Sequence, residues 1–187
     1  MTTYSKEFIE KIKEVYPDSK EMLELAENGD RFVGRYLDDS RSSYPYKTIY
    51  NYFGEDGKVD AETFDKFVKL VKKEHEKVEL YSTWWNTEAK HLEQNRKYSD
   101  EFIARVKEVY SDNPEIIKSA ENNESFLGRW LDDSCTSIYE GIYKQVTDPT
   151  KTREEIIKDM MDKSKIAKDQ NDLYSMWWDE INAENEQ

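Results

Sequence analysis

The sequence has few of the residues that mark disulfide-rich, β-rich or membrane-spanning proteins. Cys135 is the one cysteine among 187 residues, which excludes an internal disulfide and a thiolate metal cluster. Six glycines and four prolines are too few for the many tight turns of an all-β fold. No run approaches the roughly 20 apolar residues that cross a bilayer, and no apolar signal region follows Met1. We therefore expect a soluble, cytoplasmic protein without a membrane partner.

Acidic residues are what the sequence has in excess. It carries 41 acidic and 28 basic residues, a formal net charge of -13. Residues 1–96 contribute -4 and residues 97–187 contribute -9, so the sequence predicts a stronger negative field in the second half. Direct binding to nucleic acid phosphates is disfavoured, whereas binding to a basic protein is favoured. The alternative is that the charge only keeps the protein soluble.

One unit occurs twice in the chain. Residues 4–40 realign with residues 98–134 at an offset of 94, with 21 identical residues among 37. The segment LYSTWW, residues 80–85, then matches LYSMWW, residues 173–178, at an offset of 93. The divergent segment between the two matches therefore carries a one-residue deletion. We divide the chain into helical repeats at 1–96 and 97–187 and predict an all-α fold with the repeats packed as a pseudo-symmetric pair.

Each repeat predicts about four helices, of which the last is the longest. Apolar residues recur at helical spacing after Ser5 and Ser99, which are typical N-cap residues. A second helix ends at a left-handed cap, and a short third and fourth helix follow it. The long helix starts after Asp60 in the first repeat and after Thr152 in the second. In the second repeat, the polar residues 164–171 predict either a solvated helix or a frayed one.

The most distinctive motif is GRYLDDS in the first repeat and GRWLDDS in the second. Gly34 and Gly128 allow another element to approach closely, and Arg35 and Arg129 can pair with an aspartate one helical turn later. The motif ends in adjacent aspartates, which are Asp38, Asp39, Asp132 and Asp133. One interpretation is structural, with an aspartate or the following serine capping the next helix. The other is an exposed patch that binds a basic partner.

Paired tryptophans form the second duplicated feature, at residues 84–85 and 177–178. Neighbours on a helix point about 100° apart, so one of each pair can face the core while the other lies partly outside. Trp84 and Trp177 therefore either lock the long helix onto the first three helices or form hot spots for protein binding.

No pattern of residues indicates catalysis. His75 and His91, the two histidines, have no counterparts in the second repeat and are interpreted as solvated. No nucleophile, phosphate-binding or zinc-binding motif is present, and a serine nucleophile would need a histidine in the duplicated region. We therefore assign no catalytic residue, metal ligand or cofactor. An enzyme that uses the paired carboxylates with a divalent metal remains a third and less favoured class.

The pattern FxGRYLDDS followed by LYxxWW resembles that of small, functionally unassigned phage and bacterial proteins, which carry it once. The resemblance implies a mobile-element context, where small acidic proteins often inhibit host defence, as anti-CRISPR and anti-restriction proteins do. Our leading hypothesis is thus a non-enzymatic nucleic-acid mimic that binds the basic surface of a host protein. The alternative is an assembly protein that packs through the duplicated aromatic surfaces. The chain is expected to be a monomer with internal pseudo-symmetry or a homodimer.

Overall fold

The computed structural model describes residues 2–185, and within that range the fold is helical with no strand. The helices are α1 (Lys6–Val15), α2 (Lys20–Glu27), α3 (Val33–Ser40), α4 (Tyr46–Phe53), α5 (Ala61–Thr83), a π-helical segment (Trp84–Glu88), α6 (Ala89–Asn95), α7 (Asp100–Val109), α8 (Pro114–Glu121), α9 (Leu127–Ser134), a 3₁₀ turn (Ser137–Tyr139), α10 (Glu140–Val146) and α11 (Arg153–Asn185). The prediction of an all-α fold is confirmed.

Polar caps determine where the helices begin. The side chains of Ser5 and Ser99 accept hydrogen bonds from backbone N–H groups in the first turns of α1 and α7. Asp60 caps α5 in the same way, through the N–H of Thr63 at 2.7 Å. These bonds satisfy donors that have no partner inside the helix, which is why the cap positions could be predicted from sequence.

A capping box starts α11. The hydroxyl of Thr152 accepts from the backbone N–H of Glu155, and the Glu155 carboxylate accepts in return from the N–H of Thr152. Two donors are therefore satisfied reciprocally. Pro114 is the first residue of α8, where its missing N–H costs nothing.

Left-handed residues end α2 and α8. Gly29 has φ 66° and Asn123 has φ 57°, as their positions after the second helix of each repeat predict. Arg96, which follows α6, is also left-handed, with φ 61°. It ends the long helical run of the first repeat two residues before the pattern of the second repeat starts.

The two long helical runs differ in regularity. In the first repeat, α5 passes into the π-helical segment and then into α6, so the run predicted from 61 to 94 is interrupted. In the second repeat, α11 is continuous through residues 164–171, and Ser164 and Ala167 in this stretch are fully buried. The polar stretch therefore does not fray, because its small residues face the interior.

The chain forms two compact units, one of residues 1–58 and 157–187 and the other of residues 59–156. Unit 1 contains α1 to α4 together with α11 from Ile157 onward, and unit 2 contains α5 to α10 and the first four residues of α11. The units do not follow the repeat boundaries at 96 and 97. The reason is that the four short helices of each repeat pack with the long helix that the sequence assigns to the other repeat.

Each unit has its own apolar core. In unit 1 the buried cluster consists of Tyr4, Phe8, Ile12, Met22, Ala26, Val33, Leu37, Leu173 and Ile181. In unit 2 it consists of Leu80, Tyr98, Phe102, Val106, Val109, Tyr110, Ile116, Ala120, Leu127 and Leu131. Burial of these side chains holds the first three helices of a repeat against a long helix. None of the helices described is both long and apolar enough to cross a membrane.

Candidate functional site

The arginine of the duplicated motif pairs with the second aspartate. Nε of Arg35 lies 2.8 Å from Oδ2 of Asp39 in α3. In α9, Nε of Arg129 lies 3.0 Å from Oδ2 of Asp133. In both helices the partners are four residues apart and well exposed, as the spacing predicts. Because water and salt screen such exposed pairs, they orient the side chains more than they stabilise the fold.

The first aspartate of each motif has a different environment in the two units. Asp38 accepts from Nε of Arg41 at 2.8 Å. The second repeat has Cys135 in place of this arginine, and its aspartate, Asp132, faces Tyr81 instead. Desolvation raises the pKa of the Tyr81 hydroxyl, and the negative charge of Asp132 raises it further. The carboxylate of Asp132 is thus exposed without the arginine that balances Asp38.

The prediction that an aspartate or serine of the motif caps the next helix is wrong. The hydroxyl of Ser40 bonds back to the carbonyl of Tyr36, and the hydroxyl of Ser134 bonds back to the carbonyl of Leu131. Helix α4 begins after Pro45 without a side-chain cap. Serine hydroxyls compete for carbonyls of the preceding turn, and here that local bond is formed instead of a cap.

The glycine of each motif lies against a tryptophan ring. A β-carbon on Gly34 would lie 2.2 Å from the ring of Trp177, and one on Gly128 would lie 2.1 Å from the ring of Trp84. Both distances are far below van der Waals contact, so only glycine fits at these positions. The close approach that the sequence suggested at Gly34 and Gly128 is therefore made by an aromatic ring from the long helix.

The indole N–H groups of Trp84 and Trp177 each donate a hydrogen bond within their own unit. Nε1 of Trp84 donates to the Tyr98 hydroxyl at 3.1 Å, and Nε1 of Trp177 donates to the Tyr4 hydroxyl at 3.0 Å. The Tyr98 hydroxyl in turn donates to the carbonyl of Glu124 at 2.8 Å. Trp84 and Trp177, which were candidates for partner contacts, thus serve as packing residues.

The second tryptophan of each pair is the exposed one. Trp85 is 67% exposed and Trp178 is 46% exposed, whereas Trp84 and Trp177 are largely covered. The expectation of one inward and one outward tryptophan holds, but sequence alone could not identify which was which. Any contact with a partner by these pairs therefore falls to Trp85 and Trp178.

The π-helical segment accommodates a further extra residue of the first repeat, because the offset falls from 93 at Trp85 and Trp178 to 92 at Glu88 and Glu180. The N–H of Ala89 bonds to the carbonyl of Trp84 five residues earlier, which places one additional residue in the turn. Glu88 then accepts from the backbone and hydroxyl of Ser99, at 3.0 and 2.7 Å. In unit 1, Glu180 makes the same two contacts with Ser5. A carboxylate at the helix N-terminus is favourable in both units.

Sequence reasoning missed two exposed phenylalanines at the starts of α3 and α9. Phe32 is 58% exposed and Phe126 is 61% exposed. Phe32 packs edge-on against Tyr36 with ring centroids 5.6 Å apart, and Phe126 packs edge-on against Trp130 at 6.5 Å. The signal available was the presence of phenylalanine two residues before Gly34 and again two residues before Gly128.

His75 is not solvated as predicted. Its ring stacks on Tyr143 with centroids 3.6 Å apart, and its side chain is 17% exposed. Nδ1 lies 3.0 Å from the carboxylate of Glu140, to which it donates, and Nε2 lies 3.4 Å from Glu79. These contacts join α5 to α10, because His75 lies on the first helix and both Tyr143 and Glu140 lie on the second.

Unit 2 has an open cavity of 710 Å³ beside the π-helical segment. Its wall contains the carboxylates Glu79, Glu101 and Glu140. Cys135 lies elsewhere in the unit, and desolvation, with the charge of Asp132 second, raises the pKa of its thiol. A raised pKa lowers the thiolate fraction and the reactivity of the cysteine. Within residues 2–185, no three histidine, cysteine or acidic side chains group as metal ligands.

Negative charge is divided almost evenly between the compact units. Unit 1 has 13 basic and 20 acidic residues, or -7, and unit 2 has 15 and 21, or -6. The contrast of -4 and -9 between the two halves of the sequence therefore disappears in the folded protein. It disappears because α11, with its surplus of acid, belongs to unit 1.

Comparison with known proteins identifies no relative. No protein-family model matches the chain, and neither the curated proteins nor the solved structures give a match.

Proposed function

We propose that this protein is a non-enzymatic, acidic inhibitor that binds the basic, nucleic-acid-binding surface of a host protein. The observation that carries the proposal is the acid surplus on both compact units, -7 and -6. A basic surface that normally binds phosphates is attracted to such a field, and attraction of this kind speeds association and selects partners of opposite charge. The phage or mobile-element origin suggested by the FxGRYLDDS pattern belongs to the same proposal.

The exposed aspartates of α3 and α9 support this function. Asp38, Asp39 and Asp133 each form an ion pair with an arginine, whereas Asp132 lacks the counterpart of Arg41 that pairs with Asp38. Within residues 2–185, Asp132 is thus the aspartate of the motif that presents its charge without an ion pair. We also propose that the units are equivalent versions of one helical fold that have exchanged their long helices, so that one chain offers the same surface twice.

The test is capture from a lysate of the native host, with the wild-type protein and the Asp132→Lys, Asp133→Lys double variant as baits. We expect the wild-type protein to retain a basic nucleic-acid-binding protein at 50 mM NaCl and to release it by 500 mM. This loss follows because screening shortens the range of electrostatic attraction from about 14 to about 4 Å over that interval. When the purified wild-type protein is added to the purified partner with DNA bound to it, we expect the DNA to be released.

The control carries the same change of charge at another place in unit 2, through Glu93→Lys with Asp100→Lys, both exposed. Lysine is tolerated at the second position, because the first repeat has Lys6 there. We expect the control to keep more binding than the motif variant. Binding that is unchanged by salt and by the motif variant would contradict the proposal.

A second candidate is an assembly protein, which is favoured by the exposed aromatic side chains Phe32, Trp85, Phe126 and Trp178. Contacts through these rings would tolerate salt, because they bury apolar area instead of pairing charges. Light scattering at high protein concentration in 0.5 M NaCl tests it. A monomer under these conditions removes self-assembly, whereas oligomers that disappear on Trp85→Ser with Trp178→Ser support it.

A further inference from the structure

The outer surfaces of α3 and α9 are the strongest candidate for a specific contact. We define the α3 patch as Phe32, Arg35, Tyr36 and Asp39, which also line a surface depression of 710 Å³. The α9 patch consists of the equivalent residues Phe126, Arg129, Trp130 and Asp133. In each patch an edge-on aromatic pair lies beside an arginine–aspartate ion pair.

The two repeats keep three of the four patch residues, with Tyr36 replaced by Trp130, while an adjacent surface has changed more. Each exposed residue of α3, from Arg35 to Ser40, has the identical residue in α9. In α2 and α8, by contrast, two of the four exposed positions of α2 differ, and one of these differences reverses charge, from Glu24 to Lys118. Folding alone does not explain identity on the exposed side of α3, because solvent-facing positions of a helix tolerate substitution.

Phe32 and Phe126 have no capping role in the fold. They precede α3 and α9 directly and make no side-chain cap hydrogen bond. The turn before α3 is capped by Asp30 instead, whose side chain accepts from the N–H of Phe32 and whose carbonyl accepts from the N–H of Val33. The edge-on contact to Tyr36 or Trp130 covers one side of the ring and leaves more than half of the side chain in water. A contact with a partner accounts for an exposed phenylalanine at both places.

Charge decides what kind of group fits. Each patch is itself neutral, because its arginine pairs with its aspartate, and the negative charge that attracts a cationic group comes from the surrounding unit, which carries -7 or -6. Unit 1 itself shows how such a site accepts arginine, since Arg41 pairs with Asp38 at 2.8 Å while its guanidinium lies 4.5 Å from the centre of the Tyr174 ring. A planar guanidinium can stack on a ring and hydrogen-bond a carboxylate at the same time, which a lysine ammonium does less well.

We propose that the α3 and α9 patches are twin docking sites for arginine side chains of a partner protein. In each site the guanidinium stacks on Phe32 or Phe126 and hydrogen-bonds the carboxylate of Asp39 or Asp133. This inference rests on the proposed function and adds to it that the basic partner is recognised through arginine and not through positive charge in general. Two sites in one chain also raise the apparent affinity for a partner that presents arginines at two places.

The test compares two peptides of equal charge, nona-arginine and nona-lysine, by titration calorimetry at 150 mM NaCl. We expect the wild-type protein to bind the arginine peptide about 2- to 5-fold more tightly for each site engaged. The double variant Phe32→Leu, Phe126→Leu keeps an apolar side chain and removes the ring. It should show a smaller preference for the arginine peptide than the wild-type protein, because the carboxylates remain but the stacking surface is reduced, and each single variant should fall in between.

The matched control is Ile138→Ala with Ile166→Ala, which alters one exposed apolar residue in each unit outside the patches. It should keep the full preference for arginine, and thermal unfolding verifies that all variants fold. An arginine preference that is undiminished in the double leucine variant, or that disappears in the control, overturns the inference.

The peptides also separate this inference from the proposed function. Equal, salt-sensitive binding of both peptides to the wild-type protein overturns the arginine preference and leaves the acidic interaction function standing. Failure of both peptides to bind at any salt concentration contradicts both proposals, because even a general attraction to basic partners would then be absent.

Discussion

The ring of Trp177 occupies the space that a β-carbon on Gly34 would need. The nearest ring atom lies 2.2 Å from that position, and the indole N–H is held by the hydroxyl of Tyr4 at 3.0 Å. The absence of a side chain at Gly34 in α3 thus leaves the space into which Trp177 of α11 packs. Trp84 and Gly128 repeat the relationship in unit 2, where the nearest atom lies at 2.1 Å.

Replacement of either glycine by alanine should destabilise the protein. We expect Gly34→Ala and Gly128→Ala to lower the free energy of unfolding by about 1–3 kcal/mol or more, because the added methyl group displaces a packed ring. Urea denaturation monitored by circular dichroism measures the change. The matched control is Gly141→Ala in α10, where no atom lies within 4 Å of the added carbon. There we expect a gain of about 0.5–1 kcal/mol from helix propensity, and equal losses at all three positions would disprove the packing argument.

Loss of the Tyr98 hydroxyl should cost more than loss of the Tyr4 hydroxyl. Tyr98→Phe removes an acceptor for Trp84 and a donor to Glu124 at 2.8 Å, so we expect a loss of about 1–3 kcal/mol. The corresponding bond from Tyr4 to the carbonyl of Asp30 is longer, at 3.4 Å. Denaturant unfolding of Tyr98→Phe and Tyr4→Phe makes the comparison, and a larger loss for Tyr4→Phe would contradict it.

Acid should weaken unit 1 through Glu184. The hydrogen bond from Arg31, with further bonds from Thr2 and Thr3, lowers the pKa of this carboxyl below its ordinary value of 4.5. A group whose pKa is lower in the folded state stabilises the fold above its ordinary pKa, and that stabilisation is lost as the pH falls through the folded value. The difference in unfolding free energy between wild type and Glu184→Gln should therefore be constant at neutral pH and shrink below pH 4.5.

Unfolding midpoints in urea between pH 7 and pH 3 provide the measurement. Asp179→Asn serves as the control, since this exposed carboxylate on the same helix makes no ion pair within the described part of the chain. This variant measures what the loss of one negative charge from the same helix does to stability at each pH. A difference for Glu184→Gln that grows on acidification would show that the carboxylate is not stabilised by Arg31.

Removal of the His75 side chain should destabilise unit 2. His75→Ala loses the stacking on Tyr143 and the hydrogen bond to Glu140, which together predict a loss of about 1–3 kcal/mol. His91→Ala, at the other histidine, should change stability less, because no such stacking or carboxylate bond involves its side chain in the described residues. Calorimetric melting of both variants tests this prediction. Equal effects on stability would show that the contacts of His75 do not stabilise unit 2, as the sequence predicts for a solvated side chain.

The helices and their ends could be predicted because they depend on local groups. Ser5 and Ser99 accept from N–H groups three residues away, and Asn123 adopts its left-handed conformation at the end of its own helix. The pairing of Arg35 with Asp39 follows equally from one helical turn. The environment of His75 could not be predicted, because its partners Tyr143 and Glu140 are distant in sequence and lie on a different helix.

The sequence by itself determined an all-helical chain with a duplicated pattern, because periodicity, caps and breakers act over a few residues. The tertiary structure alone decided which long helix packs against which set of short helices. It also decided that Trp85 and Trp178, and not Trp84 and Trp177, face the solvent. The physical reason is that both repeats carry the same glycine and the same tryptophan, so either long helix matches either set of short helices. Local pattern cannot distinguish these pairings, and only the path of the whole chain selects one.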